Sequence, residues 1–218
     1  MTDVHLLVCS DLHGSDKALD VLRNALEDDA FDAVVVCGDF TTNGSPKYVK
    51  DFLAQAPVPV LGVPGNCDTD AIVDLLAKAG ASVHGRRVDI KSLKFFGFGG
   101  APPSPYGMPF EVDETTIAEG VRAVGVRGGV MVTHTPPLGM NDLTKGGRNM
   151  GSKALLDVAG ELRPRLALSG HIHEARGEAV SHGTVFVNPG PAKEGYYSRI
   201  QIQQSIRVSM CRMSTTHG

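Results

Sequence analysis

Tryptophan is absent from this 218-residue chain and aromatic residues make up only 6% of it, so an aliphatic core is expected. Its four cysteines, Cys9, Cys37, Cys67 and Cys211, include no Cys-x-x-Cys pair, which argues against a zinc knuckle and offers no disulfide framework. No apolar run approaches the roughly 20 residues of a membrane span. Met1-Thr2-Asp3 leads directly into a strand pattern, without a basic segment or a small-residue cleavage site. Reduced thiols and the missing signal point to a cytoplasmic protein. Neither sign of charge dominates, since the net charge is −3 and the pI near 6.2, so there is no basic footprint for nucleic acid. Solenoid repeats and low-complexity tracts are missing too.

What is present is a series of short β-branched runs, each followed closely by a polar residue of metal-binding type. The runs are Val4–Cys9, Ala33–Cys37, Val58–Val63, Val130–Val132 and Leu166–Leu168. They have the continuous apolar character of buried strands in a parallel sheet. Asp11-Leu12-His13, Gly38-Asp39, Gly65-Asn66, His134 and Gly170-His171-Ile172-His173 follow them in order. Strands lying side by side would gather these ends along one edge, where open α/β sheets place their ligand sites.

Helical spacing fills the gaps. Ser15 is placed to cap a helix through Ala18, Leu19, Leu22, Ala25 and Leu26 that ends near Asp28-Asp29, and further helices are predicted over Lys47–Ala54 and Asp70–Ala79. The resulting β-α-β-α-β order requires parallel pairing. A second half begins after Val83, with strands at Arg87–Ile90 and Phe95–Gly99, a Pro-rich loop at Ala101–Pro109, and helices over Glu114–Val124 and Ser152–Leu162. Four short β runs follow, Glu178–Val180, Thr184–Val187, Ser198–Ile202 and Ser205–Met210, and are expected to complete the second sheet. One domain over residues 1–213 is expected, with Ser214–Gly218 fraying.

Alone, Gly38-Asp39 reads as an ordinary turn, and Asp11-Leu12-His13 is little more specific. The joint order is what carries information. Asp, His and Asn supply hard and borderline donors suited to Mn, Fe, Zn, Co or Ni, and a carboxylate can bridge two such ions. In this order the residues resemble the calcineurin-like metallophosphoesterases, whose signature runs D-x-H, G-D, G-N-[H/C]-[D/E], a histidine after a strand, and G-H-x-H. The resemblance covers Asp11 to about Pro191. His134-Thr135-Pro136-Pro137 and Val187-Asn188-Pro189-Gly190-Pro191 look like the small, single-domain prokaryotic branch of predicted phosphoesterases.

The resemblance implies an α/β fold, a four-layer α-β-β-α sandwich of two mixed sheets flanked by helices. It implies two divalent metal ions, manganese favoured. Asp11, His13 and His173 would hold one, Asn66, His134 and His171 the other, and Asp39 would bridge both. It further implies hydrolysis of a phosphodiester or phosphomonoester, the diester favoured, by attack of a metal-bridging hydroxide. Asp39, Asn66, Cys67, Asp68 and His134 then form the catalytic group. The expected partner is a small phosphoester substrate; a membrane role is not expected, a nucleic-acid role is disfavoured, and a homo-oligomer is compatible with the sequence. A non-catalytic scaffold on the same fold and a metal-dependent nuclease are the alternative readings. Intact ligands weigh against the first and the acidic balance against the second.

Candidate substrate contacts are Asn43 and Tyr48 after the bridging Asp39, and Lys145 and Arg148 in the glycine-rich loop Asn141–Met150. Tyr106 could stack on a ring, and Asn188 could either orient a ligand or cap a turn. The remaining histidines, His5, His84, His182 and His217, read as surface or packing residues. Cys67 stands where many relatives carry a leaving-group histidine, with Asp68 expected to orient it. Two cations nearby would draw its thiol towards thiolate, a poor proton donor. Alkyl esters should therefore turn over slowly and aryl esters faster. Cys67→His is expected to raise alkyl-ester hydrolysis, general-acid assistance being worth roughly 10²–10⁴-fold, while changing aryl-ester rates little. Steady-state rates on a matched alkyl and aryl pair check this; an unchanged alkyl rate would contradict it.

Overall fold

The computed structural model describes residues 3–213. Its elements run β1 (Val4–Cys9), α1 (Asp16–Asp28), β2 (Ala33–Val36), α2 (Pro46–Gln55), β3 (Val60–Gly62) and α3 (Asp70–Lys78). Then come β4 (Arg86–Ile90), β5 (Leu93–Phe98), α4 (Glu114–Val124), β6 (Val130–Thr133), α5 (Lys153–Leu162) and β7 (Leu166–Leu168). The last four strands are β8 (Gly177–Ser181), β9 (Thr184–Asn188), β10 (Tyr196–Ile202) and β11 (Ile206–Arg212). They form two sheets, ordered β11-β10-β1-β2-β3 and β4-β5-β6-β7-β9-β8.

The ligand-bearing strands are therefore divided, β1, β2 and β3 lying in one sheet and β6 and β7 in the other. A side-by-side arrangement is corrected to a face-to-face one. Each group is parallel within itself, as the helical crossovers require. The closing strands also differ from expectation. β8 and β9 finish the second sheet, but β10 returns to the first and pairs antiparallel with β1, Val4 opposite Ile202 and Val8 opposite Ser198. β1 is buried on both faces, and without β10 one row of its backbone donors and acceptors would be unpaired in the interior.

Alternation sorts the side chains. Val4, Leu6 and Val8 of β1 enter a core between the sheets, where Val35, Leu61, Val130, Val132, Leu166, Leu168 and Val187 meet them. Leu7 and Cys9 face the other way, under α1 to α3. A third cluster packs α4 and α5 on the outer face of the second sheet. The four layers match the expected sandwich. The aliphatic core expected from composition holds between the sheets, where Phe95 is the one buried aromatic among the described residues. Beneath the helices the space is wider, and Phe40, Phe52 and Phe96 fill it. Among the described residues no helix is long and apolar enough to cross a membrane. Ser214–Gly218, expected to fray, lie outside the described residues.

Three of the five described α-helices have a side-chain N-cap, Ser45 on α2, Asp113 on α4 and Ser152 on α5, whereas Ser15 and Thr69 make no capping bond. The Ser152 hydroxyl accepts from Leu155 N–H at 2.9 Å, as a capping serine should. Ser15 occupies the cap of α1 but its side chain makes no capping bond; its carbonyl instead accepts from the Tyr48 hydroxyl at 2.8 Å.

His84, just before β4, ties that segment to the end of β5. Its Nδ1 accepts the Gly99 N–H at 2.9 Å, and its ring lies against Phe98 and Phe110. Burial, assisted by the Arg86 charge, pulls its pKa from 6.5 down to about 4. Between those values the unfolded chain takes up a proton that the fold excludes, so stability falls with falling pH across this window. Chemical denaturation from pH 7 to pH 4 should show His84→Gln losing less stability than the wild type, by on the order of 2–3 kcal/mol. Identical acid limbs would contradict the assignment.

Candidate metal centre

The loops that leave β1 and β2 run alongside each other. Asp11 N–H donates to the Gly38 carbonyl at 3.0 Å and His13 N–H to the Asp39 carbonyl at 2.9 Å. Asp11, His13, Asp39 and His171 all have φ between +51° and +67°, the left-handed region that non-glycine residues enter at a cost and mostly at functional sites. That turn points each side chain back across the strand ends instead of along them.

Glycines decide how closely the loops approach. A Cβ on Gly65 would overlap the Asp39 carboxylate and backbone, one on Gly170 would overlap Ser10 Oγ, and one on Gly38 would stand 2.5 Å from His134 Nδ1. Each motif's glycine thus makes room for another motif's ligand or its neighbour.

Seven side chains converge as a result. His173 Nε2 lies 3.1 Å from Asp11 Oδ1 and 3.4 Å from His13 Nε2. Asp39 sits between two histidines, Oδ2 being 3.6 Å from His13 Nε2 and Oδ1 3.6 Å from His134 Nε2. His134 Nε2 is 3.0 Å from Asn66 Oδ1 and 3.2 Å from His171 Nδ1. Among the described residues three triads have donor atoms mutually within 4.8 Å: Asp11, His13 and His173; Asp11, Asp39 and His134; and His13, Asp39 and Cys67.

The donor chemistry of this cluster fits cations. His134 Nδ1 is 2.7 Å from the Cys37 carbonyl, which can only accept, so the ring proton of neutral His134 belongs on Nδ1. Its bare Nε2 then faces the Asn66 oxygen and a ring nitrogen of His171. Nε2 is thus the ring atom of His134 that could bind a cation, and the oxygen and nitrogen atoms gathered around it are a donor set that two divalent ions would fit. Asp11, Asp39 and His134 are almost fully buried. Burial by itself would raise the Asp11 pKa, but His173 and the His134 charge hold its carboxyl well below the usual range. Burial alone would lower His134, yet Asp39 and Asp11 raise it. His171 is pulled down to about 4 by burial and then by His134, which keeps a lone pair available.

Asp68 has a task other than the expected one. Its carboxylate accepts from the backbone N–H groups of Gly65 at 2.9 Å, Phe40 at 3.1 Å and Thr41 at 2.8 Å, and from the Thr41 hydroxyl. These bonds use its lone pairs to clamp the Asp39 loop to the Asn66 loop, so it orients the loop of Asp39 instead of Cys67. Burial and the Asp39 charge raise its pKa to about 6. Cys67 is buried, and its N–H donates to Asp39 Oδ1 at 2.8 Å. Burial and then the Asp39 carboxylate push its thiol up, so the expected thiolate depends on the charge of bound cations.

Of the substrate candidates, Lys145 lines a cleft of about 410 Å³ together with His173, Glu174, Arg176, Glu194 and Tyr196. Asn43 is exposed at the rim, its N–H bonded to the Cys67 carbonyl at 2.8 Å. Arg148 is exposed and does not line that cleft, so the glycine-rich loop brings one of its two cations to the site. Tyr48 is spent on Ser15, and Tyr106 is 85% exposed. Asn188 both orients and caps: Nδ2 donates to the Ile172 carbonyl at 2.9 Å, between the two loop histidines, while Oδ1 accepts from Gly190 N–H. Two contributors escaped the sequence reading. Thr42 Oγ1 is 2.7 Å from His13 Nδ1, and Ser10 Oγ donates to the Cys37 carbonyl that also holds His134. Both are hydroxyls in ordinary loop positions, and nothing in their spacing marks them.

A model of the calcineurin-like phosphoesterase superfamily domain matches residues 4–215. The chain belongs to that superfamily. An uncharacterised protein of Methanocaldococcus jannaschii is 32% identical over 191 residues, 84% of this chain and 86% of that protein. A relative in Caenorhabditis elegans is 28% identical over 188 residues, 75% of this chain and 64% of the worm protein. Among solved structures, a protein of Thermus thermophilus matches with a TM-score of 0.74 at 18% identity, covering 96% of this chain and 99% of that one. A dimetal phosphatase from Danio rerio gives 0.64 at 11% identity, covering 95% of each chain. An archaeal phosphodiesterase gives 0.56 at 16%, covering 95% and 99%. At these identities the likeness shows the fold, and the superfamily is one of phosphoesterases.

Gly170→Ala is expected to weaken divalent-metal binding by at least about tenfold, because the loop that carries His171 and His173 must retreat from Ser10. Gly160→Ala on α5, where a methyl group meets nothing within 4 Å, should leave binding unchanged and stabilise the helix by about 0.5–1 kcal/mol. Titration calorimetry and thermal melts of the pair check both; equal metal affinities would contradict the packing argument.

Proposed function

We propose that this calcineurin-like phosphoesterase is a two-cation hydrolase of small phosphodiesters. The observation that carries the proposal is the convergence of His134 Nε2 on Asn66 Oδ1 and His171 Nδ1, beside the Asp39 carboxylate, an arrangement of acceptors that a cation pair would satisfy. When bound, two divalent ions supply Lewis-acid neutralisation of the phosphoryl oxygens and acidify a water enough to act as nucleophile near neutral pH.

The chain's own residues set the geometry. Asp39, held by the Asp68 clamp and by Cys67 N–H, fixes the midpoint between the two donor groups. His134 is held through Nδ1 by the Cys37 carbonyl, which leaves Nε2 as the ring atom turned to the cations. His13 takes its direction from Thr42, and the loop of His171 and His173 from Asn188. Such pre-organisation means that little reorganisation is needed when charge develops in phosphoryl transfer.

Charge balance supports the diester over the monoester. Lys145 and Arg176 in the cleft are offset by Glu174 and Glu194, a lining better suited to a singly charged diester than to a doubly charged monoester. The same balance, with a net charge of −3, disfavours a nuclease, whose affinity would depend on many cationic phosphate contacts. A scaffold role would not require seven intact donors. Manganese, favoured by the oxygen and nitrogen donors, is the first ion for reconstitution.

Bis-para-nitrophenyl phosphate should be hydrolysed faster than the monoester by chelated protein supplied with divalent metal. Asp39→Asn is expected to lower kcat by at least about 10²–10³-fold. Lys145→Ala should raise KM several-fold with little change in kcat, and Arg148→Ala should change neither. Folded protein that turns over neither ester with any divalent metal would overturn the proposal.

A further inference from the structure

We propose that Arg176, with Arg212 beside it, forms a receptor for a second phosphate group of the substrate, in the cleft that opens beside His173. The substrate is then a phosphodiester that carries a further phosphate on the same molecule, as a 3′-phosphorylated nucleotide ester does. The inference rests on the two-cation reading and deepens it, since the metal centre would take the reacting ester and these arginines its other phosphate.

Position is the first argument. Arg176, His173 and Tyr196 line the same cleft of about 410 Å³. The arginine is fixed along its length. A Cβ on Gly190, where φ is +83°, would stand 2.7 Å from Arg176 Cδ and 3.0 Å from Cγ, so only glycine lets the stem lie there. The guanidinium carbon is 4.8 Å from the centre of the Tyr196 ring, and Nη2 donates to the Cys211 carbonyl at 3.2 Å. Gly190 in turn is held by Asn188, which also orients the loop of His171 and His173. One turn therefore sets both the arginine and the histidines.

Unspent charge is the second. Among the described residues the Cys211 carbonyl is the one acceptor that meets the guanidinium donors of Arg176, and its Nε is buried without a partner. The described arginine ion pairs involve Arg23, Arg122 and Arg199, not Arg176 or Arg212. Of the cleft's two glutamates, Glu174 accepts the Lys145 N–H at 3.1 Å and Glu194 is exposed. Arg212 lies 4.9 Å from the centre of the same Tyr196 ring. Two guanidinium groups on one ring repel each other, and a phosphate set against them would relieve this while accepting the paired hydrogen bonds that suit arginine. An arginine that only tied β11 to this loop would spend its donors on the protein. Arg212 also adds a cation beyond the balanced charges of the cleft, so a second phosphate is compatible with a singly charged diester at the metal centre.

Two chromogenic substrates with one leaving group test the site: the para-nitrophenyl ester of thymidine 5′-phosphate and its 3′-phosphorylated form, given to full-length protein supplied with divalent metal. The 3′-phosphate should raise kcat/KM at least about tenfold, as hydrogen bonds to a charged group would. Arg176→Met should bring this ratio near one, and Arg212→Ala should lower it several-fold. A merely structural arginine would depress both substrates alike and leave the ratio unchanged. Calorimetry gives a readout without turnover. Thymidine 3′,5′-bisphosphate should bind at least about tenfold more tightly than thymidine 5′-phosphate, and Arg176→Met should erase the difference. A ratio near one in the wild type, or a ratio kept in Arg176→Met, would overturn the second-phosphate site while leaving the two-cation reading standing. If that variant does not fold, Arg212→Ala decides, and an unchanged ratio there would count against the site in the same way. Turnover of neither ester with any divalent metal would overturn both.

Discussion

Close approach of three loops is the constraint on which the rest of the structure depends. Gly38, Gly65 and Gly170 stand where any side chain would collide with His134, Asp39 or Ser10, so the motifs cannot be considered one at a time. Two sheets are needed for the same reason. Donors at the ends of β1, β2 and β3 can meet those at the ends of β6 and β7 only when the sheets pack face to face, and the aliphatic core between Val4, Leu6, Val8 and Val130, Val132, Leu168 fixes that spacing.

Electrostatic cost follows from the packing. Asp11, Asp39 and Asp68 are buried within a few ångströms of one another, and removing carboxylates from water is expensive unless each is paired or hydrogen-bonded. Asp68 is satisfied entirely by backbone N–H groups and the Thr41 hydroxyl. Asp11 and Asp39 lean on histidines, His173 on the first and His13 and His134 on the second. The protein thus keeps negative charge concentrated at one place, where the positive charge of bound metal would gain most. Stability given up at the site is recovered in the sheets around it, where β1 is paired on both edges and buried on both faces.

Much of this was legible in the chain because the two periodicities are strong. The limits of α4 and of β1 are read off correctly from apolar spacing, and the other helices differ by a residue or so at their ends. The convergent set is legible because aspartate and histidine beside glycine after a β-branched run form a rare sequence pattern. What is set by tertiary contact is not. The destination of β10 depends on which buried edge lacks a partner, a fact about space rather than about Tyr196–Ile202. Asp68 reads as a companion of Cys67 because they are adjacent, yet its lone pairs are taken by backbone groups 27 and 28 residues away. Thr42 and Ser10 matter only through the ring nitrogen and the carbonyl they reach. Lys145 and Arg148 look alike in sequence and are separated only by the path of the loop.

The central claim is that the seven converging side chains form one two-cation centre with Asp39 at its middle. Anomalous diffraction from crystals soaked in a transition metal tests it most directly. Two peaks about 3.5–4 Å apart are predicted, one beside Asp11, His13 and His173, the other beside Asn66, His134 and His171, with an Asp39 oxygen between them. A single peak, or peaks away from these residues at saturating metal, would contradict the account.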